Sequence, residues 1–154
     1  MEIERKYLIK EIPGNLEDYP CRIIEQGYLS TDPVVRVRRD NEDYYLTYKS
    51  SGMMVRQEYN LPLTAESYRH LKEKIDGLLI SKKRYEIPLE GGLTIELDRF
   101  SGDYEGLWLA EVEFPDEETA NTFVPPKWFG EDVTFSTRYH NSVMSQKKER
   151  TEYE

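Results

Sequence analysis

Charged and apolar residues alternate along most of this sequence, and this alternation is the feature that most constrains the fold. It begins in the first six residues, where Glu2, Glu4 and Lys6 share one face of an extended strand while Ile3 and Arg5 share the other. A period of two residues is typical of β-strands. The pattern therefore predicts a mainly β protein in which nearly every strand has one charged face.

Turn residues divide the alternating segments into predicted strands, and three other segments have helical spacing. The predicted strands are the opening segment and residues 22–30, 34–39, 43–49, 53–61, 78–89, 93–100 and 107–114. The predicted helices are residues 64–75, 116–123 and 136–146, with N-caps at Thr64, Asp116 and Ser136. No repeat or linker divides the chain, so we expect a single domain over residues 1–146 and a polar tail over 147–154.

Composition excludes several classes of partner. The formal net charge of -9 disfavours nucleic acid and anionic membranes, because the field of the protein repels a polyanion. No apolar run reaches membrane-spanning length, and the chain begins with charged residues, so we expect a cytoplasmic protein. Cys21 is the only cysteine, which excludes an intramolecular disulfide.

The charged strand faces have two interpretations. In a small antiparallel barrel the charges usually face solvent and the apolar faces fill the interior. In the inverted arrangement the charges line a wet tunnel, and the amphipathic helices cover part of the apolar exterior. Burying many charges costs several kcal/mol per ion unless they are paired, hydrated or bound to a ligand. The alternation alone leaves both arrangements open.

The mixture of signs suits a site for a metal ion and phosphate. Lys and Arg can hold a chain of phosphates, and the candidates are Lys6, Arg36, Arg38, Lys49, Arg56, Lys82 and Arg84. Carboxylates can hold one or two Mg²⁺ or Mn²⁺ ions, and the candidates are Glu2, Glu4, Glu111 and Glu113, with Asp98 and Glu96 nearby.

An ordered set of motifs resembles the CYTH superfamily, the triphosphate tunnel metalloenzymes. It begins with Glu-x-Glu-x-Lys at residues 2–6 and continues through 36–38, Lys49, Glu58, 82–84, 96–98, 111–113 and 138–141. The resemblance implies an α+β, mainly β fold: an eight-stranded antiparallel β-barrel with a charged interior and a few flanking helices.

The resemblance also implies roles for individual residues. The metal-binding acids are Glu2, Glu4, Glu111 and Glu113, with Asp98 as a further candidate. The phosphate ligands are Lys6, Arg36, Arg38, Lys49, Lys82 and Arg84. Glu58 is expected to orient a basic neighbour, Lys82 and Tyr28 to act as a catalytic pair with Glu4, and Arg138 to close one tunnel mouth from the last helix.

The expected function is metal-dependent hydrolysis of the terminal phosphoanhydride of inorganic tripolyphosphate, a small-molecule substrate. A class IV-type adenylyl cyclase, a thiamine triphosphatase and a non-enzymatic polyphosphate- or nucleotide-binding module are the alternatives. No nucleophilic Ser, Cys or His constellation is needed for hydrolysis by an activated water. An exposed apolar face of the barrel is compatible with a homodimer as well as a monomer.

Overall fold

The computed structural model describes residues 1–146 and is dominated by β-structure. Its strands are β1 (Glu2–Ile9), β2 (Cys21–Thr31), β3 (Val34–Asp40), β4 (Asp43–Lys49), β5 (Val55–Arg56), β6 (Glu58–Pro62), β7 (Asp76–Pro88), β8 (Thr94–Ser101), β9 (Trp108–Glu113) and β10 (Phe129–Asp132). The α-helices are α1 (Ala65–Lys72), α2 (Glu117–Thr122) and α3 (Asn141–Met144). Short 3-10 turns lie at Leu16–Asp18, Glu90–Gly92, Gly102–Tyr104 and Thr137–Tyr139. None of the helices within residues 1–146 is long and apolar enough to span a bilayer.

The strands form an antiparallel sheet that curls into a nearly closed barrel. Their order is β10-β1-β9-β8-β7-β2-β3-β4-β6. The two-residue strand β5 comes just before β6 in the chain, but it pairs with β1 at the other end of the sheet. In this pairing Glu2 lies opposite Arg56 and Ile3 lies opposite Val55. The segment that follows β4 therefore joins the two ends of the sheet, and the predicted barrel is confirmed.

The structure has ten strands where the resemblance implies eight. The segment predicted as one strand over 53–61 is divided at Gln57, because Arg56 before it pairs with Glu2 of β1 whereas Glu58 after it pairs with Lys49 of β4. Strand β10 has no alternating pattern in the sequence, and it forms because it pairs with β1 at Tyr7 and Ile9.

The helices differ from the sequence prediction mainly in length. Thr64 caps α1 through a reciprocal capping box with Ser67, but the helix ends at Lys72 instead of continuing to residue 75. Asp116 caps α2 as expected. The segment predicted as one helix over 136–146 is interrupted at His140, whose backbone is extended (φ -73°, ψ 133°).

The apolar side chains occupy the outside of one half of the barrel and one of its ends. On the outer faces of β1, β7, β8 and β9, residues such as Tyr7, Leu97 and Val112 pack beneath Ala120 of α2 and Phe129 of β10. A second cluster, including Tyr28, Phe100 and Leu109, fills one end of the interior and packs against Met144 of α3. The remaining interior is left to the charged residues, so the inverted arrangement is the one that forms.

Candidate active site

The interior contains a cavity of about 180 Å³ whose walls are almost entirely polar. Residues from nine strands contribute to it, together with the segment at the start of α3. The lining residues are Glu2, Glu4, Lys6, Arg22, Tyr28, Val34, Arg36, Arg38, Lys49, Arg56, Glu58, Arg84, Glu96, Glu111, Glu113, His140, Asn141 and Ser142. Most of the predicted site residues therefore meet in one place.

One wall of the cavity is acidic. Strand pairing places Glu4 opposite Glu113 and Lys6 opposite Glu111, so the carboxylates of β1 and β9 lie side by side on the inner face. Burial and the neighbouring charge of Glu111 raise the pKa of Glu4. Burial and the charge of Glu4 raise the pKa of Glu2 to about 8. These carboxylates repel one another, and a cation bound between them would relieve that repulsion.

The opposite wall is basic. It carries Arg36, Arg38 and Lys49 from β3 and β4, beside Arg84 from β7. Burial, together with the charges of Arg36 and Arg84, lowers the pKa of Arg38 to about 9. Arg38 Nε donates to Gln26 Oε1 at 2.8 Å, and Arg36 Nη2 donates to Thr47 Oγ1 at 3.1 Å, which fixes both guanidinium groups. Crowded cations of this kind are stabilised by an anion.

Three ion pairs join the acidic residues to the lysines. Lys49 Nζ lies 2.9 Å from Glu2 Oε1 and 3.8 Å from Glu58 Oε2, and the orienting role expected of Glu58 stays a prediction. Lys6 Nζ lies 3.4 Å from Glu111 Oε1. Although burial opposes ionisation, Lys6 and Arg84 hold the pKa of Glu111 well below its usual range.

Asp98 and Lys82 lie behind the cavity wall. Arg84 donates to both oxygens of Asp98, at 2.7 and 2.8 Å, and Lys82 Nζ lies 2.8 Å from Oδ2 of the same carboxylate. Their side chains are 1% and 0% exposed, and neither lines the cavity. The structure therefore does not bring the predicted metal candidate Asp98, or the predicted catalytic Lys82, to the cavity surface.

The structure also separates Arg138 from the cavity. Arg138 lies in the 3-10 turn before His140 and lines a different depression with Leu8, Ile12 and Trp108. The helix predicted over 136–146 would have carried it toward the tunnel, but the interruption at His140 turns the chain. His140, Asn141 and Ser142 line the cavity in its place.

Sequence reasoning missed Arg22, although its position carries a signal. Arg22 has the same strand parity as Gln26 and Tyr28, which marks it as inward-facing. Its guanidinium lies 2.8 Å from Asp40 and 3.4 Å from both Glu86 and Glu96. These contacts tie β2 to β3, β7 and β8 at the acidic end of the barrel. His140 and Asn141 belong to the motif over residues 138–141, although only Arg138 was given a role there, and Ser142 lies outside every motif.

The donors fit a hard divalent cation held jointly by protein and substrate. Within residues 1–146, no three Asp, Glu, His or Cys side chains converge to form a complete metal cage. However, Mg²⁺ is usually bound by one or two carboxylates and completes its shell with phosphate oxygens and water. Glu4 meets this need, since its carboxylate makes no hydrogen bond or ion pair within the described part of the chain and adjoins Glu111.

Comparison with protein families gives an independent result. The model for the CYTH domain matches residues 1–152. The chain belongs to the CYTH family. The family resemblance drawn from the motifs is thus confirmed, and CYTH membership implies a divalent metal ion at the site.

Two CYTH relatives cover almost the whole chain. An inorganic triphosphatase of Nitrosomonas europaea is 40% identical over 148 residues, which span 94% of this chain and 96% of the relative. An inorganic triphosphatase of Acetivibrio thermocellus is 36% identical over 148 residues, which span 92% of this chain and 90% of the relative.

Solved structures agree with the fold. The crystal structure of an inorganic triphosphatase matches with a TM-score of 0.72 at 36% identity and covers 97% of each chain. A Hippeastrum protein, described as an adenylyl cyclase with a dominant triphosphatase activity, matches with a TM-score of 0.58 over 79% of this chain and 83% of its own. At 15% identity, this second likeness shows the shared fold alone.

Proposed function

We propose that this chain is a metal-dependent inorganic triphosphatase that hydrolyses the terminal phosphoanhydride of inorganic tripolyphosphate and releases orthophosphate. The observation that carries the proposal is the cavity in which carboxylates of β1 and β9 face Arg36, Arg38 and Lys49. A triphosphate is negatively charged along its length, so it complements the basic wall while its metal ion complements the acidic wall. The two relatives named inorganic triphosphatases support the same substrate.

The basic wall would bind and orient the phosphates. Arg36 and Arg38 can each bind a phosphate through two parallel hydrogen bonds, whereas Lys49 acts as a point charge. These groups neutralise charge that develops on the transferring and leaving oxygens as the bond breaks. Tyr28 lines the same cavity, and its hydroxyl lies 3.4 Å from Gln26 Nε2. Its phenol can therefore donate to a phosphate oxygen.

The proposed cofactor is Mg²⁺ or Mn²⁺, because carboxylate oxygens are the ligands that suit these ions. The residues that would hold it are Glu2, Glu4, Glu111 and Glu113. When bound, a divalent ion neutralises phosphate charge and makes a coordinated water a better nucleophile. The carboxylates of the acidic wall would also orient a water molecule for in-line attack on the terminal phosphorus.

The remaining expectations stay predictions. With a formal net charge of -9, the protein is unsuited to binding a nucleic acid or an anionic membrane, and we propose that it acts on a small molecule alone. A cytoplasmic location and a monomeric or homodimeric state were expected from the sequence.

Product analysis tests the proposed function. Purified protein is incubated with tripolyphosphate and, separately, with ATP, each with Mg²⁺, Mn²⁺ or a chelator. Metal-dependent release of orthophosphate with a preference for tripolyphosphate is the expected result. Formation of cyclic AMP and pyrophosphate from ATP would show that the protein is a cyclase and not a triphosphatase. Tight binding without turnover would indicate a binding module. A preference for thiamine triphosphate in a parallel assay would show that thiamine triphosphate, and not tripolyphosphate, is the substrate.

The raised pKa of Glu2, about 8, predicts how cation binding depends on pH. Below this pH the carboxyl is protonated, so an incoming cation must displace the proton. The apparent affinity for Mg²⁺ should therefore rise as the pH increases toward 8 and level off above it. Titration calorimetry about one pH unit below and above this value would measure the affinity and the protons released. Glu2→Gln should weaken this dependence, and a pH-independent affinity in the unmodified protein would contradict the assignment.

A further inference from the structure

A row of polar side chains crosses β3, β4 and β6 beside the basic wall of the cavity. Strand pairing places Arg36 opposite Thr47 and Thr47 opposite Asn60. Two residues further along β4, Lys49 lies opposite Glu58. Thr47 is fully buried and Asn60 is exposed, and neither residue lines the cavity. The row therefore lies next to two phosphate-binding candidates without being part of the cavity surface.

Hydrogen bonds run along this row in one direction. Arg36 Nη2 donates to Thr47 Oγ1 at 3.1 Å, and Thr47 Oγ1 donates to Asn60 Oδ1 at 2.6 Å. A guanidinium group only donates, so the hydroxyl of Thr47 must accept from Arg36, and its single proton is left for Asn60. The amide oxygen of Asn60 therefore faces Thr47, and its NH₂ group points to the other side.

The NH₂ group of Asn60 reaches a second cation of the basic wall through a carboxylate. Asn60 Nδ2 donates to Glu58 Oε1 at 2.9 Å. The other oxygen of Glu58 lies 3.8 Å from Lys49 Nζ. One neutral side chain thus connects Arg36 and Lys49, with a single residue between it and each of them.

Arg36 keeps a donor for a ligand while it is held in this way. Its Nε is buried and has no hydrogen-bond partner within residues 1–146, although Arg36 lines the cavity. A buried donor without an acceptor costs free energy. A phosphate oxygen in the cavity would supply the acceptor that the described part of the chain does not.

We propose that Asn60 is a positioning residue that fixes Arg36 through Thr47 and Lys49 through Glu58, so that both cations are preorganised for the phosphates of the substrate. The inference rests on the proposed function for the class of substrate. Asn60 does not contact the substrate in this arrangement. It acts by limiting the orientations of two long side chains, which lowers the entropic cost of ordering them when the substrate binds.

Calorimetric binding of tripolyphosphate in the presence of a chelator tests this arrangement in Thr47→Val, Asn60→Leu and the double variant. Thr47→Val breaks the connection to Arg36 and should raise Kd about fivefold, as expected for one hydrogen bond. Asn60→Leu breaks both connections and should raise Kd about twentyfold, as expected for two hydrogen bonds. The double variant should be little worse than Asn60→Leu, because Thr47 and Asn60 belong to the same chain of hydrogen bonds.

Two comparisons separate positioning from a merely structural role. Thr47→Ser loses a buried methyl group but keeps the hydroxyl, so it should bind tripolyphosphate nearly as tightly as the unmodified protein. A structural role of Thr47 would weaken binding in both the serine and the valine variant. Asn121→Leu on α2 and Thr94→Val on β8 make the same changes at exposed positions and should leave Kd unchanged.

Three results would overturn the inference. One is an unchanged Kd in Asn60→Leu, and another is equal weakening by Thr47→Ser and Thr47→Val. The third is a double variant in which the effects of Thr47→Val and Asn60→Leu multiply, since Thr47 and Asn60 would then act independently.

The same measurements distinguish this inference from the proposed function. If the unmodified protein hydrolyses tripolyphosphate and Asn60→Leu binds it as tightly, the positioning role fails and the proposed function stands. If the unmodified protein binds tripolyphosphate without hydrolysing it and Asn60→Leu binds it more weakly, the positioning role stands and the proposed hydrolysis fails. The absence of both binding and hydrolysis in the unmodified protein would overturn both proposals.

Discussion

Replacing Glu4 by glutamine is expected to lower kcat/KM for tripolyphosphate by about 10²–10³-fold, the range for losing one group that stabilises transition-state charge. Glutamine keeps the shape of the side chain but removes the negative charge and one anionic oxygen. Glu4 lies on the acidic wall, and its pKa is raised because burial and the charge of Glu111 outweigh the nearby charges of Lys49, Lys6 and Arg56. The loss should therefore fall on metal-dependent turnover. Steady-state kinetics at several Mg²⁺ concentrations would measure it.

The same substitution should not unfold the protein. Removing one of two repelling carboxylates relieves strain between Glu4 and Glu111, so the melting temperature without metal should stay the same or rise. Glu66→Gln, on the exposed side of α1, makes the same chemical change outside the cavity. It should leave both kcat/KM and the melting temperature unaltered. Near-normal turnover by the Glu4 variant would refute the metal-assisted mechanism proposed for this site.

Replacing Arg84 by methionine is expected to lower the free energy of unfolding by about 3–5 kcal/mol, the cost of removing one partner of a buried ion pair. Arg84 is 6% exposed and donates to both oxygens of Asp98. It also lies 3.2 Å from Glu96 and 3.9 Å from Glu111. Methionine fills much of the same volume but leaves Asp98 with Lys82 as its remaining cationic partner. Urea unfolding monitored by circular dichroism would give the difference.

The pH dependence of this difference checks its cause. Burial opposes ionisation, but Arg84 and Lys82 hold the pKa of Asp98 below its usual value in the folded state. A lowered carboxyl pKa contributes stability above the unfolded-state pKa of about 4, and this contribution is lost as the pH falls further. The difference in free energy of unfolding between the unmodified protein and Arg84→Met should therefore become smaller at acid pH. Arg99→Met, on the exposed outer face of β8, should change stability by less than about 1 kcal/mol.

Strand parity accounts for most of what could be predicted from the sequence. Because successive side chains on a strand point to opposite faces, Glu2, Glu4 and Lys6 had to share a face. The same argument placed Arg36 with Arg38 and Glu111 with Glu113. Parity alone could not decide whether the charged faces turned inward, and the motif resemblance resolved this choice correctly.

Parity gives the side of a strand but not the depth of a side chain. Asp98 lies on the same inward face of β8 as Glu96. However, the guanidinium of Arg84 donates hydrogen bonds to both oxygens of Asp98, and this carboxylate is buried in the wall. Lys82 is buried beside Asp98, with which it forms an ion pair. Residues of the segment before α3 depend on the extended conformation at His140, which no periodicity encodes. The expected and observed positions of Asp98, Lys82 and Arg138 thus differ in side-chain depth and in chain path, and the roles expected of these residues stay predictions.

Above about pH 8, where Glu2 is ionised, the ion pairs between Lys49 and Glu2 and between Lys6 and Glu111 imply that metal and phosphate assist each other's binding. Each pair joins a carboxylate proposed to hold the cation to an ammonium proposed to hold the phosphate. An anion that engages Lys49 leaves Glu2 more available to the cation, and the reverse is equally true. By thermodynamic linkage, whatever factor the cation adds to the affinity for phosphate, phosphate adds to the affinity for the cation. A cavity without ligand, in which these ion pairs are formed, therefore binds either ion alone less well. It favours entry of the metal–triphosphate complex.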